Sequence, residues 1–391
     1  MKIVVVGGGS GGHITPVVAV VEEIWKIKPR ARIEFWTDKK FYKNVTKTTS
    51  GMGPSLTVRR IAAGKLRRYT NFTFVTYLQH FDVVLSNIVD MFKIVAGFFQ
   101  SFFRLLGFKP DAIFLKGGYV CLPVGIAARI LRIPYVIHDS DTVPGLTNRI
   151  LSKHAVKIAT GMPLEHYGYP SDKAEWTGIP TSAEFKPVTQ KQQKSLKREL
   201  DFPADELLTI ITGGSLGAQH INEAVREVLP ELLKFTGVLL VAGRERYPEM
   251  MDLKKLEVWE KGRLKSNFRM VEFSSEMPKL FGAADIVVSR AGASTMTELA
   301  SMKKAVIMVP NHKLPGKHQV KNAEAYAKSG AAIVVEDERM VDQPGLLLNA
   351  VRKLAKNKDS REEMAKKLQD FAKDDAAERL AKMVISTAGG R

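Results

Sequence analysis

One cysteine, Cys121, stands in 391 residues. A lone thiol excludes a disulfide framework and fits a reducing compartment. No signal peptide is expected, because Met1-Lys2 runs straight into Ile3-Val4-Val5-Val6 and then glycines, the pattern of a first buried strand. Long uncharged runs are also missing. The most apolar stretch, residues 81–108, is interrupted by Asp82, Asp90, Lys93 and Arg104. Its longest uncharged run, residues 94–103, falls short of the roughly 20 residues a spanning helix needs, so no segment is expected to cross a bilayer. Acidic residues are scarce: 41 Asp+Glu face 59 Lys+Arg, a net charge of +18. Such an excess implies an anionic partner. Nucleic acid is not expected, since neither aromatic stacking platforms nor a recognised binding motif accompanies the charge. No His, Cys or carboxylate group shows metal-ligand spacing, so no metal cofactor is expected either.

The positive charge is concentrated. Residues 1–110 hold 17 Lys+Arg against 6 Asp+Glu, including Arg59, Arg60, Lys65, Arg67 and Arg68. Just beyond that cluster, Phe92, Phe98, Phe99, Phe102, Phe103 and Leu106 carry more aromatic bulk than one buried helix face needs. Two readings stand: an ordinary core helix, or a partly exposed face that dips into an anionic membrane.

The length suits two domains, and 45% hydrophobic residues are enough for two cores. Short β-branched runs alternate with helical segments. Strands are predicted at 2–7, 31–37, 111–116, 134–138 and 155–159, then at 207–213, 237–242, 268–273, 284–289, 304–310 and 331–335. That alternation argues for an α/β fold with parallel sheets covered on both faces. Residues 161–197, with Pro163, Pro170, Pro180 and Pro187, read as the inter-domain connection. A device repeats across the halves. Val4 to His13 is a strand, a glycine-rich turn and a helix start, and Ile210 to Ala218 has the same design. Two Rossmann-like domains facing a central cleft would bring both glycine turns to one ligand.

The glycine turns carry the chemistry. Gly7, Gly9 and Gly12 have G-x-G-x-x-G spacing, which lets backbone N–H groups and a helix N-terminus approach a phosphate. A dinucleotide reading wants an acid at the end of the second strand, and Asp38 comes late for it. His13 ends the turn, with an imidazole suited to proton transfer or to a phosphate; helix capping is the alternative. A third turn, Ser289 to Thr295, opens another helix with Glu298 one turn in. A carboxylate there can accept from a ribose diol while the helix end holds a diphosphate, although Thr295 and Glu298 also have capping-box spacing. Asp139 and Asp141 are candidate acids or bases. Together these point to a nucleotide-bearing donor held by helix dipoles without a metal.

At the level of motifs the chain resembles the MurG-type N-acetylglucosaminyltransferases. The resemblance rests on Gly8 to His13 with Pro16, Gly117-Gly118-Tyr119, His138 to Asp141 with Gly145 to Asn148, Gly213 to Ala218, Arg290 to Ala293, Glu298, and Gln319 with Asn322-Ala323. It implies the GT-B glycosyltransferase architecture: an acceptor- and membrane-binding domain over 1–162, a UDP-sugar domain over 163–369, and a last helix, about 370–391, packed back on the first. It implies an inverting transfer from UDP-N-acetylglucosamine to an undecaprenyl-diphosphate-linked muramyl-pentapeptide, a step of peptidoglycan synthesis, by a peripheral protein at the cytoplasmic face of the cell membrane. Same-fold transfer to another lipid such as diacylglycerol, and NAD-dependent oxidation, are the alternatives.

The resemblance also implies residue roles. Ser10, Gly11, Gly12 and Asp141 would lie near the transferred sugar and acceptor diphosphate, with His13, Gly117, Gly118, Tyr119 and Asn148 on the acceptor. Ser215 and the turn Gly292, Ala293, Ser294, Thr295 would hold the UDP phosphates, Glu298 the ribose and Gln319 the sugar hydroxyls, with uracil near Phe273, Ser274 and Met277. His13 is the candidate base and Asp139 its rival. Phe98, Phe99, Phe102, Arg67 and Arg68 would meet the membrane. Where the family commonly has Glu-Gln-Asn, this chain has Asp139-Ser140-Asp141. The arginine expected near Ser182 is missing, which leaves Arg290 as the substitute phosphate cation.

Overall fold

The structure is a computed structural model that describes residues 1–9, 12, 14–53, 56–65, 81–260, 263–264 and 267–390. Ser10, Gly11, His13, Arg67 and Arg68 lie outside the described residues. The chain divides into two compact units, Met1–Ser182 with Lys373–Arg391, and Ala183–Ala372.

The first unit is built on a parallel sheet of β1 (Lys2–Val6), β2 (Arg32–Thr37), β3 (Leu56–Arg60), β4 (Ala112–Leu115), β5 (Tyr135–Asp139), β6 (Lys157–Thr160) and β7 (Ala174–Trp176). Its order is β3-β2-β1-β4-β5-β6-β7. Runs such as Ile3-Val4-Val5-Val6 and Ala112-Ile113-Phe114-Leu115 are wholly buried, as strands covered on both faces require. The last helix, Ala376–Gly389, packs on this unit: Leu380, Ala381, Met383 and Val384 share a cluster with Ile3, Val5 and Ile24.

Two strands of the first sheet escaped the sequence pattern, and both are its edges. β3 pairs with β2 from Ile33–Leu56 to Thr37–Arg60, yet Leu-Thr-Val-Arg-Arg carries no apolar run. β7 is three residues long and pairs Ile158 with Ala174 and Thr160 with Trp176. That pairing keeps the residues after Gly161 in the first unit. The boundary therefore falls at Ser182, not at 162, and the proline-rich segment is an edge of the first sheet before it is a connection.

In the second unit β8 (Leu208–Thr212), β9 (Gly237–Val241), β12 (Phe268–Val271), β13 (Ile286–Ser289), β14 (Ala305–Met308) and β15 (Ile333–Val334) form a parallel sheet ordered β12-β9-β8-β13-β14-β15. A separate two-stranded ribbon joins β10 (Trp259–Glu260) to β11 (Arg263–Leu264). The core beneath the six strands runs from Ile211, Val225 and Leu229 to Ile307, Leu347 and Val351.

The aromatic stretch is one helix, Phe81–Phe108, of 28 residues. Its portion Val84–Phe108 is long and apolar enough to cross a membrane by length and composition, contrary to the expectation from charge spacing. The helix runs straight through Asp90, Lys93 and Arg104. One stripe is docked: Ile94, Ser101 and Leu105 are buried, Arg104 donates to Arg60 O at 2.6 Å, and a Cβ on Gly97 would stand 1.9 Å from Ala62 O. The opposite stripe, Leu85, Ile88, Phe92, Val95, Phe99, Phe103 and Leu106, is exposed. Phe98 and Phe102 differ from the expectation. They lie half-buried against the first unit's core, because residues three and four apart share a helix face with Ile94, Ser101 and Leu105.

Candidate active site

In a doubly wound sheet the ligand lies beyond the carboxyl ends of the strands where the winding reverses. In the first unit the reversal is between β1 and β4, and each of these two neighbours ends in a glycine turn. In the second it is between β8 and β13, which end in Gly213-Gly214 and in the Gly292 turn. Each unit thus presents two adjacent backbone cradles.

In the first unit the cradles touch. Gly9 has φ +82, and a Cβ there would stand 2.8 Å from the Tyr119 ring, so only glycine fits. Asp38, at the end of β2, accepts from Gly9 N at 2.9 Å, Lys40 N at 2.7 Å, Phe41 N at 3.1 Å and the Tyr119 hydroxyl at 3.3 Å. It is 5% exposed. The residue that a dinucleotide reading would put on a ribose instead braces both turns, a role the sequence did not signal.

Asp139 ends β5 and is buried. Burial pushes its carboxyl up to about 7, against hydrogen bonds from Tyr169 and Asn148; the Asp141 charge raises it further and Lys116 lowers it. Tyr169 donates to Asp139 Oδ2 at 2.7 Å. Asn148 Nδ2 donates to His138 O at 3.0 Å, and a Cβ on Gly117, which has φ +97, would meet that amide at 3.1 Å. Asp141 follows on the same turn, half-buried, its carbonyl accepting from the Tyr167 hydroxyl at 2.8 Å. Gly117, Gly118, Tyr119, Asp139, Asp141 and Asn148 therefore gather at the carboxyl edge of β4 and β5. Gly12 lies beyond β1, and Ser182 closes the unit.

In the second unit the helix Ala293–Ser301 has Gly292 as its N-cap, and no side chain caps it. The leading N–H groups of a helix point out of its start and have no partner one turn back within the helix, the geometry that binds anions. Because Gly292 is the cap, Thr295 and Glu298 do not form a capping box. Glu298 is partly buried, and desolvation alone pushes its carboxyl up to about 8. Ser215 stands exposed on the turn after β8, where its carbonyl accepts from Arg244 N at 3.2 Å. The Arg244 guanidinium lies 3.8 Å over the Phe273 ring, Ser274 Oγ accepts from Glu276 N at 3.0 Å, and Met277 opens the next helix. Gln319 Oε1 accepts from Asn311 N at 2.9 Å, which ties it to the loop after β14.

Arg290 is engaged elsewhere than expected. Its Nη1 donates to Asp337 Oδ1 at 2.6 Å and to Val309 O at 3.0 Å, so a buried carboxylate already offsets its charge. His220 Nδ1 approaches the same carboxylate at 3.0 Å.

Comparison with known proteins places this geometry. Residues 3–160 match the glycosyltransferase family 28 N-terminal domain and residues 208–380 its C-terminal domain. The UDP-N-acetylglucosamine–N-acetylmuramyl-(pentapeptide) pyrophosphoryl-undecaprenol N-acetylglucosamine transferase of Clostridium kluyveri is 32% identical over 384 residues, covering 98% of each chain. The protein of that name from Bacillus pumilus is 31% identical, covering 97% of each. The crystal structure of Acinetobacter baumannii MurG has the same fold, with a TM-score of 0.72 at 23% identity over 98% of this chain and 99% of that one. Two parallel-sheet α/β units of GT-B type, each with paired turns at its winding reversal, and full-length similarity to named transferases lead to one assignment: the chain belongs to glycosyltransferase family 28, among the MurG-type N-acetylglucosaminyltransferases.

Proposed function

We propose that the chain moves N-acetylglucosamine from UDP-N-acetylglucosamine to the muramyl sugar of an undecaprenyl-diphosphate-linked muramyl-pentapeptide, the transfer that its relatives' names describe. It is a hexosyltransferase of peptidoglycan synthesis. The acceptor hydroxyl loses its proton to a base and attacks the anomeric carbon. The bond from that carbon to the UDP oxygen breaks on the opposite face, which inverts the centre, and UDP leaves with the electron pair.

The observation that carries the donor assignment is Glu298. Its carboxylate is desolvated, and among the described residues no cation or donor offsets that cost. A ribose diol supplies the missing donors, while the uncapped helix start at Gly292 takes the leaving diphosphate's charge. Ala293, Ser294 and Thr295 lie in that first turn, Ser215 on the neighbouring one, and Phe273, Ser274 and Met277 beside it for the base. Phosphate neutralisation by backbone donors makes a resident metal unnecessary in this reading, and transfer is expected to survive chelation by EDTA.

The first unit takes the acceptor. Gly117, Gly118, Tyr119 and Asn148 form its second cradle, with Asp139 and His13 as the two candidates for the base. The apolar stripe of Phe81–Phe108, beside a basic first third, holds the protein on the cytoplasmic face of the membrane. A transfer assay with labelled UDP-N-acetylglucosamine tests the whole reading. Product is expected with the polyprenyl-diphosphate muramyl-pentapeptide and not with diacylglycerol; the reverse result overturns it.

A further inference from the structure

A charged group behind the second glycine turn has no part in the reading above. Lys116 follows β4 directly and is 1% exposed. A buried ammonium needs an acceptor for its N–H bonds. Its Nζ stands 3.0 Å from His138 Nδ1 and is hydrogen-bonded to Ser140 Oγ. His138 Nε2 lies 2.9 Å from Gly178 O. A carbonyl oxygen only accepts, so Nε2 carries the ring proton and Nδ1 receives the ammonium's. The fully buried imidazole is thereby neutral and held in one tautomer.

These bonds join three strand ends at the carboxyl edge of the first sheet. Lys116 follows β4, His138 and Ser140 belong to β5 and its turn, and Gly178 follows β7. The charges meet there too. Burial lowers the Lys116 ammonium to about 8, while Asp139 and then Asp141 hold it up. Asp139 in turn faces Lys116 from the end of β4, Tyr169 and Asn148 through hydrogen bonds, and Asp141 on its own turn. Where the resembling motif commonly has one acid and two amides, this chain has two aspartates flanking Ser140.

We propose that Lys116 is a positioning residue for the transfer: it ties Ser140 to the second glycine turn and supplies the positive charge that lets one turn present both Asp139 and Asp141. The proposal rests on the reading that this turn serves transfer. Lys116 touches no substrate in it. It acts through the place and the ionisation of the two carboxylates.

Lys116→Met removes the charge at similar length, and K116M/D141N removes one charge of each sign. The Asp139 carboxyl is followed by carbon-13 NMR titration in substrate-free protein, its signal assigned by loss in D139N. In K116M that titration is expected to move to higher pH, and kcat near pH 7 to fall roughly tenfold or more, with the acid limb of its pH profile displaced upward. K116M/D141N is expected to regain roughly tenfold over K116M, because the two changes are coupled. A folded K116M with an unmoved Asp139 titration overturns the proposal, as does a double variant no better than K116M. Should K116M not fold, Ser140→Ala decides: it keeps the charge and cuts the tie, so acceptor KM is expected to rise several-fold with the Asp139 titration in place. Wild-type KM in S140A overturns the tie. If the unmodified protein transfers nothing, the functional reading has failed, and the titration still reports on Lys116.

Discussion

The Gly9 amide donates to Asp38 Oδ2 at 2.9 Å, and the same oxygen accepts from the Tyr119 hydroxyl, so one carboxylate clamps the two glycine turns of the first unit together. Asp38→Ala leaves part-buried backbone donors without their carboxylate, at a cost of up to roughly 1–3 kcal/mol each. The first unit is expected to lose at least about 2 kcal/mol in urea unfolding. Calorimetric titration of the intact protein is expected to show UDP binding and no NAD binding, since the acid an NAD ribose needs is occupied. Measurable NAD affinity reverses that conclusion.

Glu298 links donor binding to stability. Its carboxyl is raised from 4.5 to about 8 by burial. Folding therefore takes up a proton, and this group's contribution to stability is complete below about 4.5 and lost as pH rises through about 8. Glu298→Gln escapes that loss. Relative to the unmodified protein, E298Q is expected to gain in urea midpoint more at about pH 8.5 than at about pH 5.5, while UDP affinity falls tenfold or more, the equivalent of about 1.4 kcal/mol. Unchanged UDP affinity sinks the ribose assignment.

The base is decided by kinetics at saturating donor and acceptor. A base variant loses roughly 10²–10⁴ in kcat, whereas a phosphate-binding variant mainly raises the acceptor KM. His13→Ala is expected to show the first pattern. Asp139, raised to about 7, is the rival, and the acid limb of the kcat profile separates them: D139N abolishes a limb near 7 if Asp139 is the base. His13→Ala with full kcat removes the imidazole from that role.

Vesicle binding tests the exposed stripe. Phe92, Phe99 and Phe103 are 71%, 53% and 65% exposed. Replacing these three by Ser is expected to reduce binding to anionic vesicles while leaving thermal stability close to the original. The same change at Phe98 and Phe102, which pack on the core, is expected to lower stability. Equal binding to neutral and anionic vesicles at low salt contradicts the electrostatic part.

The sequence by itself determined the sheets' inner strands and the family. Val4-Val5-Val6 and Ile286-Val287-Val288 are apolar whatever surrounds them, and glycine turns after such runs are local features that survive in one dimension. Full-length motif order did the rest. Only the tertiary structure decided what depends on neighbours. β3 and β7 are strands because β2 and β6 offer them a free edge, and their own side chains carry little signal. Phe98 and Phe99 are adjacent in sequence, yet the docking of one helix stripe half-buries the first ring and exposes the second. Asp38, read from spacing, was a late ribose acid; three backbone amides and a tyrosine hydroxyl turned it into a brace. Lys116 is the last residue of the predicted strand 111–116, and its neighbours in sequence name no partner for it. Folding brought His138 and Ser140 to it from 22 and 24 residues away, and a bond between residues so far apart leaves no trace in either one's local sequence.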